Sequence, residues 1–361
     1  MRFVYNLFMV DLSQNSVTER EPACRNKPVV DPANWNGDEI SARTDWIYKL
    51  TPSDITFIEE ATISVRSTVG DDLNKLIKVE RSDADLGTFG QKIITIFSEL
   101  KDGNGFKLIR GLPVTKWDRL DLAIAYWIIG LQLGEPVSNN PEGDLIGHVT
   151  DLGKDYENPK HRGYQTNAHM LFHCDQCDIV SLLCLQTSKT GGKSKIVSSP
   201  AVHNEMLRRR PDLVAELTAE MFWTKHGETE TDEDPWYRMA VFNYFDGHLV
   251  TAGGFKHIEK GHALPGNPPL TALQKEAFAV LADINEDLHF AMEFQIVDIQ
   301  LLNNHVTMHS RTAYVDWSEK EKRRHLWRLW LKNPNIRPRP SAFANRTQGI
   351  KSPQTAEQIK I

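Results

Sequence analysis

Apolar positions first recur at helical spacing and then, beyond about residue 144, in short strand-like runs. The first helix is predicted over residues 51–66, with Thr51 as N-cap, Pro52 at the first helical position and Asp54 facing the cap. Residues 91–100 form a second amphipathic helix, with Ile93, Ile94, Ile96, Phe97 and Leu100 on its apolar side. Asp102, Gly103, Asn104 and Gly105 turn the chain into a strand over 106–110, which stops at Gly111 and Pro113. A third helix covers 119–133, with Gly134 as its terminator.

Residues 179–185 are nearly all apolar, as in a strand buried on both faces. Gly191 and Gly192 make a tight connection to a strand at 195–198, and 200–220 reads as helix with Arg208, Arg209 and Arg210 as a solvated basic turn. A β stretch at 240–251 turns at Asp246 and Gly247. A helix at 271–287, strands at 290–296 and 300–303, and a last strand at 326–331 follow. Residues 11–44 read as a polar lead-in, and the proline-rich stretch after Asn333 as a loose tail. The pattern predicts one domain over 1–361: a helical N-terminal region at 1–143, a core at 144–333 interrupted by an insertion at about 200–290, and a tail at 334–361.

Composition narrows the classes little. With 40% hydrophobic and 25% charged residues, the 361-residue chain is an ordinary globular protein. Its formal charge of −6, from 42 basic and 48 acidic residues, favours neither nucleic acid nor an anionic membrane as partner. No apolar run reaches the length of a membrane span, and Met1–Val10 has no small-residue cleavage site, so a cytoplasmic protein is expected. Four cysteines do not make a disulfide framework and fit a reducing compartment. Cys174 and Cys177 form a C-x-x-C, but without a second pair zinc-finger chemistry is not expected.

Candidate chemistry centres on Phe172, His173, Cys174 and Asp175. On an extended segment, residues two apart share a face, so His173 and Asp175 point the same way. A second imidazole from a distant strand would complete a set of two histidines and one carboxylate, which suits iron(II) with open positions for oxygen and a co-substrate. On its own the triplet is read first as two polar residues on an exposed strand face, since such triplets are common in any long chain. His305 and His309 both offer that imidazole; His309 is taken as the ligand and His305 as a polar core residue. Bringing His173 and His309 together across the insertion calls for an α+β fold with a double-stranded β-helix (jelly-roll) core. Arg324, Leu326, Arg328 and Trp330 share one face of the last strand. Two arginines there require anions, either a bound carboxylate or structural Asp and Glu partners.

Together, His173-x-Asp175, Gly191-Gly192-Lys193-Ser194, His309-x-Arg311 and Arg324-x-x-x-Arg328 resemble the taurine dioxygenase (TauD/TfdA) family of iron(II)- and 2-oxoglutarate-dependent oxygenases, over about 145–331. The pattern looks most like the fungal biosynthetic branch. The resemblance implies that His173, Asp175 and His309 ligate iron, that Arg324 grips the distal carboxylate of 2-oxoglutarate, and that Ser194 donates a hydroxyl to it. Lys193 replaces the Asp usual before that hydroxyl, a departure from the family pattern. Arg328 would face the anionic group of the substrate, and His169, Gln165, Asn167 and Tyr164 would shape its site. The implied reaction consumes O2 and 2-oxoglutarate and hydroxylates, desaturates or cyclises a small amino acid or other carboxylate. The competing reading is a zinc hydrolase built on the same three ligands, which has no need of Arg324 and Ser194.

Overall fold

The computed structural model describes residues 19–113, 117–155, 162–226, 229, 233–352 and 358–361. The amino-terminal stretch Met1–Val10 lies outside them. The helix Pro52–Val69 begins at Thr51 in a reciprocal capping box with Asp54. Asp54 is buried there, accepting also from Tyr48 at 2.8 Å and Lys92 at 2.7 Å. The second helix runs Gly87–Asp102, longer than its apolar repeat alone indicated. The strand Phe106–Arg110 and the helix Arg119–Leu133 have their predicted bounds.

Two sheets carry the site. The larger runs in the order Ile47–Lys49, Phe106–Arg110, Ile299–Asn303, Ile179–Gln186, His325–Lys332, Glu135–Val137, with Ile146–Thr150 also on His325–Lys332. The smaller runs Phe290–Met292, Ser194–Ser198, Thr307–Arg311, Met170–His173. Val180, Leu302 and Trp330 of the larger sheet share an apolar cluster with Ile196, Phe290 and Met292 of the smaller. That shared cluster packs the sheets against each other. Behind the larger sheet, the almost wholly buried Arg119–Leu133 helix bonds to it through Tyr126, whose hydroxyl accepts from Leu329 N at 3.1 Å.

Between Ser198 and Phe290 lies the insertion, with its own core around Met206, Leu217, Trp223 and Ile258. The helix expected over 200–220 is two helices, Ser199–Arg209 and Pro211–Thr218. Pro211 has no N–H to continue the first, so the chain breaks at Arg210. The three arginines there are ion-paired, with Glu205, Asp287, Asp212 and Glu276. The hairpin Phe242–Phe245/His248–Thr251 turns at Asp246 and Gly247, both at positive φ (47° and 70°), the geometry of a two-residue turn. A second hairpin, Met221–Thr224/Trp236–Met239, and the helix Phe255–His262 were not anticipated. Short, partly polar runs carry too little periodicity to betray them.

The loose tail is a correction. Arg337, Phe343, Arg346, Thr347, Ile350 and Ile359 are all buried. Arg337 pairs with Asp31 at 2.8 Å and Arg339 with Asp178 at 2.9 Å. The tail's polarity reflects buried ion pairing rather than solvation, and composition does not distinguish the two. Among the described residues no helix is long and apolar enough to cross a membrane.

Candidate active site

His173 ends its strand and is paired directly with His309 on the neighbouring strand, so the ladder itself brings the imidazoles together, ring centres 4.3 Å apart. Asp175 lies beyond the strand. Its backbone N–H donates to Asn304 Oδ1 at 3.1 Å, and Asn304 Nδ2 donates to the carbonyls of Asp175 and Cys177 at 2.6 and 2.8 Å. The loop bonds made by Asn304, rather than strand alternation alone, thus aim the carboxylate. Its oxygens lie 3.6 Å from His173 Nε2 and 3.7 Å from His309 Nε2. Among the described residues these three form the one group able to hold a metal, with ligand atoms within 4.8 Å of one another.

The protonation states suit a cation. His173 Nδ1 donates to Leu171 O at 2.8 Å, so Nε2 is the ring nitrogen facing Asp175. Burial, together with His173 beside it, pushes His309 down to about 3, so its ring is neutral near pH 7. Burial alone would raise Asp175. The cation of Arg328 and an indole N–H from Trp330 at 2.8 Å outweigh it and hold the carboxyl well below its usual range. Two imidazoles, that of His309 neutral, and an ionised carboxylate, converging with space in front, fit iron(II).

That space is a cleft bounded by the three candidate ligands with Ser194, Arg324, Arg328, Tyr164, Leu182 and Phe294, among others. Arg324 is the most telling of these. It is 5% exposed, its Nη1 has no hydrogen-bond partner, and no described carboxylate forms an ion pair with it. Tyr314 lies under it with the ring centre 5.2 Å away. Gly192, at φ 70°, must lack a side chain because a Cβ there would meet Arg324 Nε at 3.0 Å. A buried guanidinium with an orphaned donor is costly unless an anion completes it.

Ser194 lines the same cleft, and its hydroxyl donates to Gln300 Oε1 at 3.1 Å. The Gln300 amide otherwise contacts only Met292 Sδ, a weak acceptor, so turning it by 180° frees the Ser194 proton for a ligand. Lys193 points elsewhere and pairs with Glu293 at 2.9 Å.

Arg328 reaches the cleft, but its guanidinium is occupied. Nε donates to Asn139 at 2.9 Å and Nη1 to Asp175 Oδ2 at 3.3 Å, with the plane against Tyr164 and Trp330. His169 and Asn167 lie outside the cleft, in a separate open depression with Lys154 and Lys256. Gln165 is in neither, and its side chain accepts from Arg162 N at 3.3 Å. His305 Nε2 donates to Asp178 Oδ1 at 2.7 Å and is not in the candidate metal-binding group. Cys174 and Cys177 are free, buried thiols; burial pushes Cys174 up to about 11 and raises Cys177, which makes both unreactive. Asn304 and Trp330 went unrecognised in the sequence. Trp330 could have been found, since it shares the strand face of Arg324 and Arg328.

The family model for taurine catabolism dioxygenase TauD, TfdA family matches residues 71–330. The chain belongs to that family. The match begins well before the 145–331 span of the motifs and takes in the helices Gly87–Asp102 and Arg119–Leu133. Over 335 residues the chain is 30% identical to FR-33289 synthase of Streptomyces rubellomurinus (strain ATCC 31215), covering 90% of this chain and 96% of that one. It is 27% identical over 315 residues to the taurine hydroxylase-like protein SAT17 of Stachybotrys chartarum (strain CBS 109288 / IBT 7711), covering 83% and 78%.

Among solved structures, asparagine oxygenase in complex with Fe(II), 2S,3S-3-hydroxyasparagine and succinate shares the fold. Its TM-score is 0.63 at 18% identity, over 80% of this chain and 93% of that one. The non-heme iron oxygenase OrfP with Fe, succinate and (3S)-hydroxy-L-Arg matches at TM-score 0.61 and 13% identity, over 84% and 99%. As a TauD/TfdA member with the two-histidine, one-carboxylate set in place, this chain is an iron(II)- and 2-oxoglutarate-dependent oxygenase.

Proposed function

We propose that the chain oxidises a small amino acid or related carboxylate, with hydroxylation as the default outcome, in a biosynthetic role within the cytoplasm. Its two packed sheets are read as the halves of a jelly-roll core, and the whole chain as one catalytic unit. The observation that carries the co-substrate assignment is the buried guanidinium of Arg324, whose Nη1 has no partner, in the cleft that also holds the three candidate ligands.

In this reading His173, Asp175 and His309 hold the metal, and Arg324 takes the distal carboxylate of 2-oxoglutarate in a charge-assisted pair. Ser194 donates to the same carboxylate after Gln300 turns. Bound iron(II) supplies the oxygen activation that couples decarboxylation of 2-oxoglutarate to oxidation of the substrate. For a hydroxylation the balance is complete: one oxygen atom enters succinate, the other enters the product, and carbon dioxide leaves. Leu182, Leu326, Val149 and Phe294 form the apolar wall that keeps water from the reacting centre.

Arg328, tied to Asp175 and Asn139, keeps the ligand carboxylate ionised and presents the remaining edge of its guanidinium to a substrate anion. Tyr164 stacks beside it. His169 and Asn167 would meet only a substrate long enough to extend into the separate depression. The amino-acid class is favoured by the asparagine and arginine derivatives in the two structural relatives named above.

The test is an anaerobic titration of the metal-free protein with iron(II) and then 2-oxoglutarate, followed by an amino-acid screen for coupled succinate release. A visible charge-transfer band that needs both additions is expected. Tight zinc binding with no band, and hydrolysis that survives without oxygen, would overturn the reading.

A further inference from the structure

The backbone that carries Asp175 is tied at every carbonyl from Cys174 to Asp178. Asp175 O and Cys177 O accept from Asn304 Nδ2, and Asp178 O from Asn304 N at 3.0 Å. The other two bonds come from beyond the family match, which ends at residue 330. Gly349 N donates to Gln176 O at 3.2 Å, and Arg346 Nη2 donates to Cys174 O at 2.7 Å. The same Arg346 nitrogen lies 3.5 Å from both Asp175 O and Gly253 O. Its Nη1 lies 3.3 Å from the Tyr237 hydroxyl, and its plane lies over Trp223 at 4.8 Å. One guanidinium therefore joins the carboxy-terminal segment, the insertion and the peptide between two metal ligands.

Arg346 is 3% exposed, and among the described residues no carboxylate forms an ion pair with it. Burying a cation against carbonyls and rings alone is expensive, and docking the segment does not require it. The Arg337–Asp31 pair and the packing of Phe343 on His305 already attach the segment. The charge-assisted bond does one thing that apolar packing could not. It fixes the Cys174 carbonyl, and so the turn that brings Asp175 round to His173.

We propose that Arg346 is a positioning residue of the metal centre, holding the His173–Asp175 turn in its ligating geometry from outside the matched family region. The proposal rests on the reading that His173, Asp175 and His309 bind iron. It is tested by anaerobic iron(II) titration of the wild-type chain and of Arg346→Gln, Arg346→Lys and Arg337→Gln, with melting temperatures measured alongside. Loss of an outer partner of a metal ligand weakens metal binding by about 10–100-fold, and that loss is expected for Arg346→Gln. Arg346→Lys should fall between, because an ammonium reaches one carbonyl but cannot span the fork. Arg337→Gln should lower the melting temperature and leave iron affinity unchanged.

Equal iron affinity in folded Arg346→Gln and wild type overturns the inference, as does an equal loss in Arg337→Gln. If the Arg346 variants do not fold, the wild type still decides, because coupling between two sites is reciprocal. Iron(II) should then slow amide hydrogen exchange at residues 346–349, and exchange unaltered by the metal overturns the inference. A wild-type chain that binds no iron instead overturns the reading of the metal site itself.

Discussion

The two ends of the cleft are built on opposite principles. At the metal end the Asp175 carboxylate is held by Arg328 and Trp330, its loop by Asn304, Gly349 and Arg346, and His173 by Leu171 O, although His309 Nδ1 has no partner. At the Arg324 end a buried donor has no partner, and Ser194 is turned aside onto Gln300. The contrast teaches where pre-organisation is needed. Metal ligands must hold their geometry before the ion arrives, because a loose site loses affinity. In the proposed reading the co-substrate subsite is completed by its ligand, and Arg324 Nη1, buried without a partner, would select a carboxylate.

The largest effect should come from breaking the engaged end at its centre. Asp175→Ala or His173→Ala should abolish iron-dependent turnover of 2-oxoglutarate; sustained succinate release in either variant would remove the metal assignment. Truncating Asp175 also strands the Arg328 cation, so a fall in melting temperature should accompany the loss. Breaking the open end should act differently. Arg324→Ala should weaken 2-oxoglutarate by roughly 30–150-fold, on the order of 2–3 kcal/mol, with iron affinity nearly intact. Apparent 2-oxoglutarate affinity measured at fixed iron checks this, and an unchanged value would make Arg324 merely structural.

Asn304→Ala sharpens the same contrast at a smaller scale. Removing its side chain leaves buried partners in the Asp175 loop unsatisfied, so stability should fall by about 1–3 kcal/mol. Iron affinity should fall with it, while 2-oxoglutarate affinity, measured at saturating iron, should hardly change. Denaturant unfolding with and without iron(II) separates the effects.

The smallest effect lies outside both ends. His148 and His325 bond ring to ring at 2.9 Å, and burial lowers both, His325 to about 4. The unfolded chain binds protons at these sites below its ordinary histidine pKa of about 6.5, whereas the folded chain does not. Stability is therefore complete above that pH and falls as the pH drops through the window towards 4. The melting temperature of His325→Gln should depend less steeply on pH across that window than that of the wild type, and equal slopes would refute this source.

Much of the site was legible because it is local or strictly periodic. His173 and Asp175 are two residues apart, Gly192 precedes Ser194 by two, and Arg324, Arg328 and Trp330 alternate along one strand. The Arg119–Leu133 helix and the Phe106–Arg110 strand were equally plain, since each carries its own stop signal in glycine or proline. Asn304 carried no such mark: an asparagine beside a turn looks the same whether it faces solvent or bonds a metal-ligand loop. His169 and Asn167 show the converse, being close to His173 in sequence yet facing a different depression.

By itself, then, the sequence determined the helices and strands with strong periodicity, the His173–Asp175 pair and the strand face shared by Arg324 and Arg328, while the resemblance added His309 as third candidate ligand and the expected role of Arg324. The pair and the shared face follow from side-chain chemistry at fixed spacing along one element. Only the tertiary structure decided that the polar tail is buried, that Arg328 is committed to Asp175, and that Arg346 reaches the Cys174 carbonyl from 172 residues away. A buried polar group is defined by its partner, and no pattern along the chain records a partner supplied by folding.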